Sequence, residues 1–253
     1  MKPYYEHAGI TIYHGDCRDV LPQLKADAVI TDPPYNCGKD YGTFKDNLSD
    51  SEYREFMETV IKYSFAAAPN QAWFAPRYKL EFFLPLFPGY HLVVIRRGAQ
   101  GNLKHGWSDQ FHTVITVGRP REPFRDLWDD IRLKGEGYFF REETWGHPGY
   151  TPYPAMRRCS YLLAEKIILD PFCGTGTSLR AAKDLGIRGI GIELNEAYCE
   201  IAAKRMAQEV VFGAPESADA VQTIVQQPQV SIAADLFEGE LYAATGNRAA
   251  YVA

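Results

Sequence analysis

Apolar positions follow strand and helix periodicities in two separate parts of the chain. The first part reads strand, helix, strand in "GITIYHGD", "CRDVLPQL" and "ADAVITD". The second part, far downstream, reads strand, glycine loop, helix, strand, helix in "KIILDPF", "CGTGT", "SLRAAKDLG", "IRGIGIEL" and "NEAYCEIAAKRM". Strands that alternate with helices of this length predict right-handed crossovers within a mainly parallel, doubly wound α/β sheet.

The segment between these parts predicts one more helix and three more strands. The helix is "SEYREFMETVIKYSFAAA", and the strands are "QAWFAP", "YHLVVIRR" and "FHTVITVGR". Residues 98–150 otherwise have weak periodicity and are rich in Gly, Pro and aromatic residues, and after about residue 212 the composition turns to Ala, Gln, Val and Gly. We therefore predict a domain over 1–211 with an insert at 98–150, and a peripheral or partly mobile tail over 212–253.

Composition is that of an ordinary globular protein, with 46% apolar and 23% charged residues in 253. The five cysteines form no C-x-x-C pair, which argues against a disulfide framework and against a zinc site, and favours a reducing compartment. The first residues lack the apolar core of a signal peptide, and no run approaches the about 18 apolar residues of a membrane span. The expected location is the cytoplasm, without a membrane partner.

Charge is unevenly distributed along the chain. The net charge is −5, yet residues 96–158 carry 11 basic and 8 acidic side chains. This stretch contains the pairs Arg96-Arg97 and Arg157-Arg158 and many aromatic residues. Positive charge with stacking rings is one way to bind a phosphate backbone, and a solvated face of mixed charge explains the pattern equally well.

Two glycines in "DPFCGTGT" follow a strand and open a helix. Gly174 and Gly176 let the backbone approach a ligand closely. Glu193 lies nineteen residues after Gly174, at the end of the next strand, where an acid can accept hydrogen bonds from both ribose hydroxyls. The third glycine of the dinucleotide fingerprint is absent, which favours an adenosine-type cofactor without a pyrophosphate. Asp16 ends another strand, where it either accepts from an adenine amine or caps a helix.

Residues 31–36, "TDPPYN", place an acid, two prolines and an aromatic ring directly after an apolar strand. Each proline lacks an amide donor and has a fixed φ. The proline after Asp32 also restricts that residue to extended backbone. The sequence therefore predicts a stiff, exposed elbow that presents a carboxylate and a ring.

Together these segments resemble the DNA amino-methyltransferases that use S-adenosylmethionine. "DPPY" resembles their catalytic motif and "DPFCGTGT" their cofactor motif, in the order of the β-class, a circular permutation of the common methyltransferase fold. The resemblance covers about residues 9–55 and 147–206. It implies a Rossmann-like, mainly parallel sheet of seven strands flanked by helices.

The resemblance also implies a role for individual residues. Asp32 and the Pro33 carbonyl would accept hydrogen bonds from the target amine, and Tyr35 would stack on the flipped-out base. The implied catalytic residues are Asp32, Pro33, Pro34 and Tyr35. The implied cofactor-binding residues are Asp16, Cys17, Phe172, Gly174, Thr175, Gly176, Thr177, Glu193 and Leu194. The candidate nucleic-acid contacts are Asn36, Lys39, Tyr41, Arg96, Arg97, Arg157 and Arg158. No metal is implied.

An acidic elbow suits this reaction because a base amine is a poor nucleophile. Two rigid acceptors stabilise the positive charge that develops on its nitrogen, and a sulfonium methyl held in line is displaced directly. The segment "HPGYTPYPAM" departs from the family, since Thr151 replaces the usual lysine. What that segment contacts is therefore in doubt.

Asp at the first motif position resembles the adenine-N6 enzymes, whereas Ser is more usual in the cytosine-N4 enzymes. The leading interpretation is therefore a site-specific DNA adenine-N6 methyltransferase. The alternatives are a cytosine-N4 enzyme, an RNA methyltransferase and a non-catalytic nucleic-acid-binding relative. The resemblance implies double-stranded DNA as a partner, and it allows a homodimer and a cognate restriction endonuclease.

Overall fold

A computed structural model describes residues 1–96, 111–128 and 153–208. The strands in these ranges are β1 (Tyr5–His7), β2 (Ile10–His14), β3 (Ala28–Thr31), β4 (Asn70–Ala75), β5 (His91–Arg96), β6 (Phe111–Val117), β7 (Leu127–Trp128), β8 (Ile167–Asp170) and β9 (Arg188–Glu193). The α-helices are α1 (Cys17–Val20), α2 (Asp50–Ala67), α3 (Leu80–Phe83), α4 (Tyr153–Leu163), α5 (Thr177–Asp184) and α6 (Glu196–Ala207). Short 3₁₀ turns occupy Leu21–Gln23, Arg77–Lys79 and Leu84–Leu86.

All the described strands pair into one sheet, in the order β1-β2-β9-β8-β3-β4-β6-β5-β7. Its central seven strands run parallel except β6, which pairs antiparallel with both β4 and β5. The three-residue β1 and the two-residue β7 extend the two edges. The predicted α/β fold is confirmed. The described sheet has nine strands rather than seven, because edge strands this short carry no readable periodicity.

Part of the predicted insert belongs to this sheet. β6 lies between β4 and β5, and its Val114 and Ile115 are fully buried. Residues 98–150 are therefore not one continuous insert, since β-branched residues from 113 onward complete the core. Residues 97–110, 129–152 and 209–253 lie outside the described residues. The recognition region, the boundary near 212 and the positions of Arg97 and Thr151 accordingly stay predictions.

Helices cover both faces of the sheet. On β3, Ala28 and Ile30 face the layer formed by α4, α5 and α6, while Val29 between them packs with α1, α2 and α3. A strand buried on both faces is apolar throughout, which explains the continuous run "AVI". In such a sheet the ligand site lies beyond the carboxyl ends of the parallel strands. Across the described helices, none is both long and apolar enough to cross a membrane.

Candidate active site

A cavity of about 580 Å³ opens where β2, β3, β8 and β9 end. Fourteen residues predicted from the sequence line it: Asp16, Cys17, Asp32, Pro33, Pro34, Tyr35, Lys39, Tyr41, Phe172, Gly174, Thr175, Thr177, Glu193 and Leu194. Among the other described candidates, the residues outside its lining are Asn36, Arg96, Arg157, Arg158 and Gly176. The two motifs, from opposite parts of the chain, therefore meet at one cavity.

The proline elbow is held by hydroxyl groups beneath it. The Tyr35 hydroxyl contacts the Asp32 carboxylate and lies 2.9 Å from the Phe74 carbonyl oxygen. Burial, followed by the nearby Asp32 charge, raises the pKa of Tyr35 well above its ordinary value, so this phenol keeps its proton and donates it. Tyr53 donates to the Pro34 carbonyl at 2.8 Å, whereas the Pro33 carbonyl accepts no hydrogen bond within the described chain. Tyr35 thus orients the carboxylate, a role that the sequence reasoning missed.

Glu193 is fixed by two backbone amides. Its Oε2 accepts from the Gly174 N–H at 2.9 Å, and its Oε1 accepts from the Asn195 N–H at 2.8 Å. Burial raises the pKa of Glu193, and these amides oppose the rise. The Gly174 amide is thereby directed at a carboxylate instead of at a phosphate. Each carboxylate oxygen still has a further lone pair with which to accept from a hydroxyl.

Gly176 has a different role from Gly174. It lies in the left-handed region at φ 87° and caps α5. A Cβ added there would lie 3.2 Å from the Ala202 Cβ of α6. We attribute this glycine to the close packing of α5 and α6, since it does not line the cavity.

Asp170 is a buried acid of the cofactor motif that the sequence reasoning did not single out. Its Oδ1 accepts from the Thr31 hydroxyl at 2.6 Å and from the Phe172 N–H at 3.0 Å, and its Oδ2 accepts from the Ser178 hydroxyl. Burial raises its pKa to about 6, against the effect of these bonds. Asp170 therefore ties the strand of the elbow to the strand and helix of the cofactor loop. Its position at the end of an apolar strand was the available signal.

Asp16 caps α1, one of the two roles left open by the sequence. Its carboxylate accepts from the Arg18 N–H at 2.9 Å and pairs with the Arg18 guanidinium at 2.6 Å. The hydrogen bond from the Arg18 side chain lowers the pKa of Asp16. Contact with an adenine amine stays a prediction for this residue.

Residues 36–48, which we call the elbow loop, fold around one buried acid. The Asp46 carboxylate accepts from the N–H groups of Asn36, Cys37 and Lys39 at 2.7, 3.0 and 3.0 Å. The Asn36 side chain exchanges two hydrogen bonds with the Leu48 backbone, which closes the base of the loop. Lys39 and Tyr41 line the cavity. Asn36 is thus part of the loop's own framework, and nothing in the local sequence marked Asp46 as its centre.

The described arginine candidates, Arg96, Arg157 and Arg158, lie outside the lining of this cavity. Arg96 is exposed at the end of β5, and the Arg158 guanidinium stacks 4.8 Å from the centre of the Trp128 ring. Arg157 belongs to α4 beside it. Their role in nucleic-acid contact stays a prediction.

Comparisons with known proteins agree with the resemblance. Residues 111–204 match the family of N6/N4 methyltransferases described as DNA methylase. The type II methyltransferase M.ScaI of Streptomyces caespitosus is 27% identical over 262 residues, which cover 82% of this chain and 84% of that protein. The cytosine-N4-specific PvuII DNA methyltransferase superposes with a TM-score of 0.63 at 15% identity, covering 88% of this chain and 95% of its own. M1.HpyAVI in complex with S-adenosylmethionine superposes with a TM-score of 0.59 at 21% identity, covering 79% of this chain and 100% of its own.

The sheet order and the superpositions show a Rossmann-like fold. The cavity at its carboxyl edge and the similarity to DNA methyltransferases support a methyltransferase that depends on S-adenosylmethionine. Within that class, the family match over residues 111–204 and the similarity to type II methyltransferases support the N6/N4 DNA methyltransferase family. The predicted family, fold class and cofactor are confirmed. In the described ranges, no group of three or more His, Cys, Asp or Glu side chains is arranged to hold a metal ion.

Proposed function

We propose that this protein methylates the N6 amine of adenine at specific sites in double-stranded DNA. The observation that carries the proposal is that Asp32, Pro33 and Glu193 line one cavity. An acceptor pair for an amine thus lies beside an acceptor for a ribose. Adenine is favoured as the target because Asp32 opens the elbow where cytosine-N4 enzymes more usually carry Ser.

The cavity residues fit S-adenosylmethionine. Glu193 is oriented by two amides, so its remaining lone pairs are available to ribose hydroxyls. Gly174 lets the backbone approach the ligand, and Phe172 and Leu194 add apolar surface to the lining. Asp32 and Asp170 add negative charge to the same lining, which suits a cationic ligand. When bound, S-adenosylmethionine supplies a methyl group that a nucleophile can displace from sulfur.

In this proposal the elbow prepares the amine for that displacement. Asp32 and the Pro33 carbonyl accept the two N–H groups of the flipped-out adenine. Tyr35 holds the Asp32 carboxylate in place, and the prolines hold the backbone, so the acceptors need little reorganisation as positive charge builds on the nitrogen. Asp32 is then positioned to take the proton that the methylated amine releases.

The test uses labelled S-adenosylmethionine and unmethylated duplex DNA, followed by digestion to nucleosides. We expect the label in N6-methyl-2′-deoxyadenosine, and Asp32→Ala should abolish transfer while cofactor affinity changes little. Glu55→Ala is the matched control, because it removes an exposed acid of α2. Label in N4-methyl-2′-deoxycytidine would refute the choice of base. Methyl transfer to RNA but not to DNA would refute double-stranded DNA as the substrate. Binding of DNA without any methyl transfer would refute the proposal that the protein is an enzyme.

The remaining parts of the proposal concern the cellular setting. The five cysteines are free in the structure and four of them are buried, which supports a reducing, cytoplasmic compartment. The kinship with type II methyltransferases supports a cognate restriction endonuclease that cleaves the same unmethylated site. Expressing that endonuclease in a host that lacks this protein tests the pairing, because the endonuclease should then cut the unprotected genome. A homodimer stays a prediction that sedimentation of the purified protein would check.

A further inference from the structure

We propose that Asn195 is a positioning residue that couples cofactor binding at Glu193 to the placement of the elbow loop. The inference rests on the proposed function, since it takes Glu193 as the ribose acceptor and the loop as part of the substrate site. Nothing in the local sequence beyond a helix cap pointed to this residue.

Asn195 makes hydrogen bonds to three separate parts of the site. Its main-chain N–H donates to Glu193 Oε1 at 2.8 Å, and its side-chain oxygen accepts from the Ala197 N–H at 2.9 Å, which caps α6. Its side-chain NH₂ donates to the Tyr41 carbonyl oxygen at 2.8 Å. One residue therefore contacts the ribose acid, the start of a helix and the far side of the elbow loop.

The loop is shaped to receive this contact. Gly42 follows Tyr41 in the left-handed region at φ 77°, and a Cβ there would lie 3.0 Å from the Asn195 side-chain nitrogen. A residue other than glycine would thus meet both backbone strain and a close contact. The Asp46 carboxylate accepts hydrogen bonds from three N–H groups of the loop, and these bonds hold the two ends of the loop together. The structure thus describes a pre-organised flap, closed at its base by Asn36 and Leu48 and held at its far side by Asn195.

Coupling follows from the shared residue. A ribose bound to Glu193 restrains that carboxylate, which restrains the Asn195 backbone and keeps its side chain aligned with Tyr41. Because binding free energies are linked reciprocally, a loop that is held by Asn195 also strengthens the binding of the cofactor. One neutral hydrogen bond of this kind corresponds to about a fivefold change in an equilibrium constant. The expected coupling is of that size.

Three variants separate the coupling from the helix cap. Asn195→Asp keeps a capping oxygen and the main-chain N–H but has no side-chain donor for Tyr41. Asn195→Ser also keeps a capping oxygen and the main-chain N–H, and its shorter side chain lacks the amide NH₂ that donates to Tyr41. Gly42→Ala disturbs the same contact from the loop and leaves α6 untouched. Thermal unfolding of each purified variant establishes that it folds.

The readout is trypsin cleavage after Lys39 and Lys45, which both lie in the elbow loop. Cleavage after Lys62, exposed on α2, serves as the internal reference. S-adenosylhomocysteine should slow loop cleavage in the wild type. In the variants, loop cleavage without ligand should rise about fivefold, protection should be lost, and the ligand's Kd should rise about fivefold.

The outcomes distinguish the two proposals. If the wild type binds no S-adenosylhomocysteine, the proposed function fails and the coupling fails with it. If the wild type binds the ligand but its loop is not protected, or if all three variants are protected like the wild type, the coupling alone is wrong. Loss of protection in Gly42→Ala together with either Asn195 variant supports the coupling.

Discussion

Replacing Gly191 by alanine should damage the cofactor loop through packing alone. Gly191 lies in β9 beside Asp170 of β8. A Cβ built there would lie 2.7 Å from Cys173 Sγ, 2.9 Å from Cys173 Cβ and 2.8 Å from Leu179 Cδ1, all closer than real contacts allow. Cys173 precedes Gly174 and is anchored to β9 by its N–H, which donates to the Ile192 carbonyl at 3.0 Å. The loop must therefore shift away from the strand.

The magnitude follows from overpacking. Adding a methyl group to a well-packed core costs about 1–3 kcal/mol. For a domain of this size each kcal/mol lowers Tm by roughly 2–4 °C, so the expected fall is roughly 2–12 °C. The Kd for S-adenosylhomocysteine should also rise, because the displaced loop carries the Gly174 amide that orients Glu193.

Gly189→Ala is the matched control on the same face of the same strand. Its Cβ would lie 3.1 Å from Ile10 Cδ1 and 3.2 Å from both Ala182 Cβ and Leu179 Cδ2. These contacts require smaller shifts and do not involve the cofactor loop. Calorimetric titration with S-adenosylhomocysteine gives the Kd of both variants, and thermal unfolding gives their Tm. If Gly191→Ala matches Gly189→Ala in Tm and in affinity, the packing argument is wrong.

Three further predictions concern single side chains. Burial raises the pKa of Asp170 to about 6, against an ordinary value of 3.8. Its contribution to stability is therefore fully present below about pH 4 and is lost as the pH rises through about 6. The Tm of the wild type relative to that of Asp170→Asn should accordingly fall between about pH 4 and about pH 7. Asp46→Asn should lower turnover more than cofactor affinity, as single-turnover kinetics and titration would show, because an amide can accept only at its oxygen and the loop amides lose partners. Ser49→Ala removes the side-chain part of the capping box of α2, and denaturant unfolding should show a loss of about 1 kcal/mol with unchanged methylation.

Local patterns were enough to predict the strands that build the cavity. β2, β3, β8 and β9 each combine a short apolar or alternating run with a polar residue at the carboxyl end, and all four ends meet at the cavity. The spacing from Gly174 to Glu193 was informative because one helix and one strand must fit between them. These inferences need no knowledge of distant contacts.

Other parts could not be predicted because distant residues decide them. Asp46 is the centre of its loop only because the chain turns back on itself, and Asn195 reaches Tyr41 from the other end of the chain. The α4 helix was missed because Pro154 obscures its first turn, although its buried residues recur at helical spacing. Phe111–Val117 was predicted as a strand, but its place inside the sheet depends on pairing with β4 and β5.

The acids that line the cavity also influence which small molecules the site ignores. Adenosine triphosphate shares its base and ribose with the methyl donor, but it carries negative charge where the donor carries a sulfonium cation. Asp32 and Asp170 lie in the same lining as Glu193, where water screens charge poorly. Although Arg18 and Lys39 also line the cavity, the acids outnumber them, and we expect a triphosphate to bind less well than the cationic donor. In the proposed function, charge therefore helps the site to discriminate the methyl donor from adenine nucleotides.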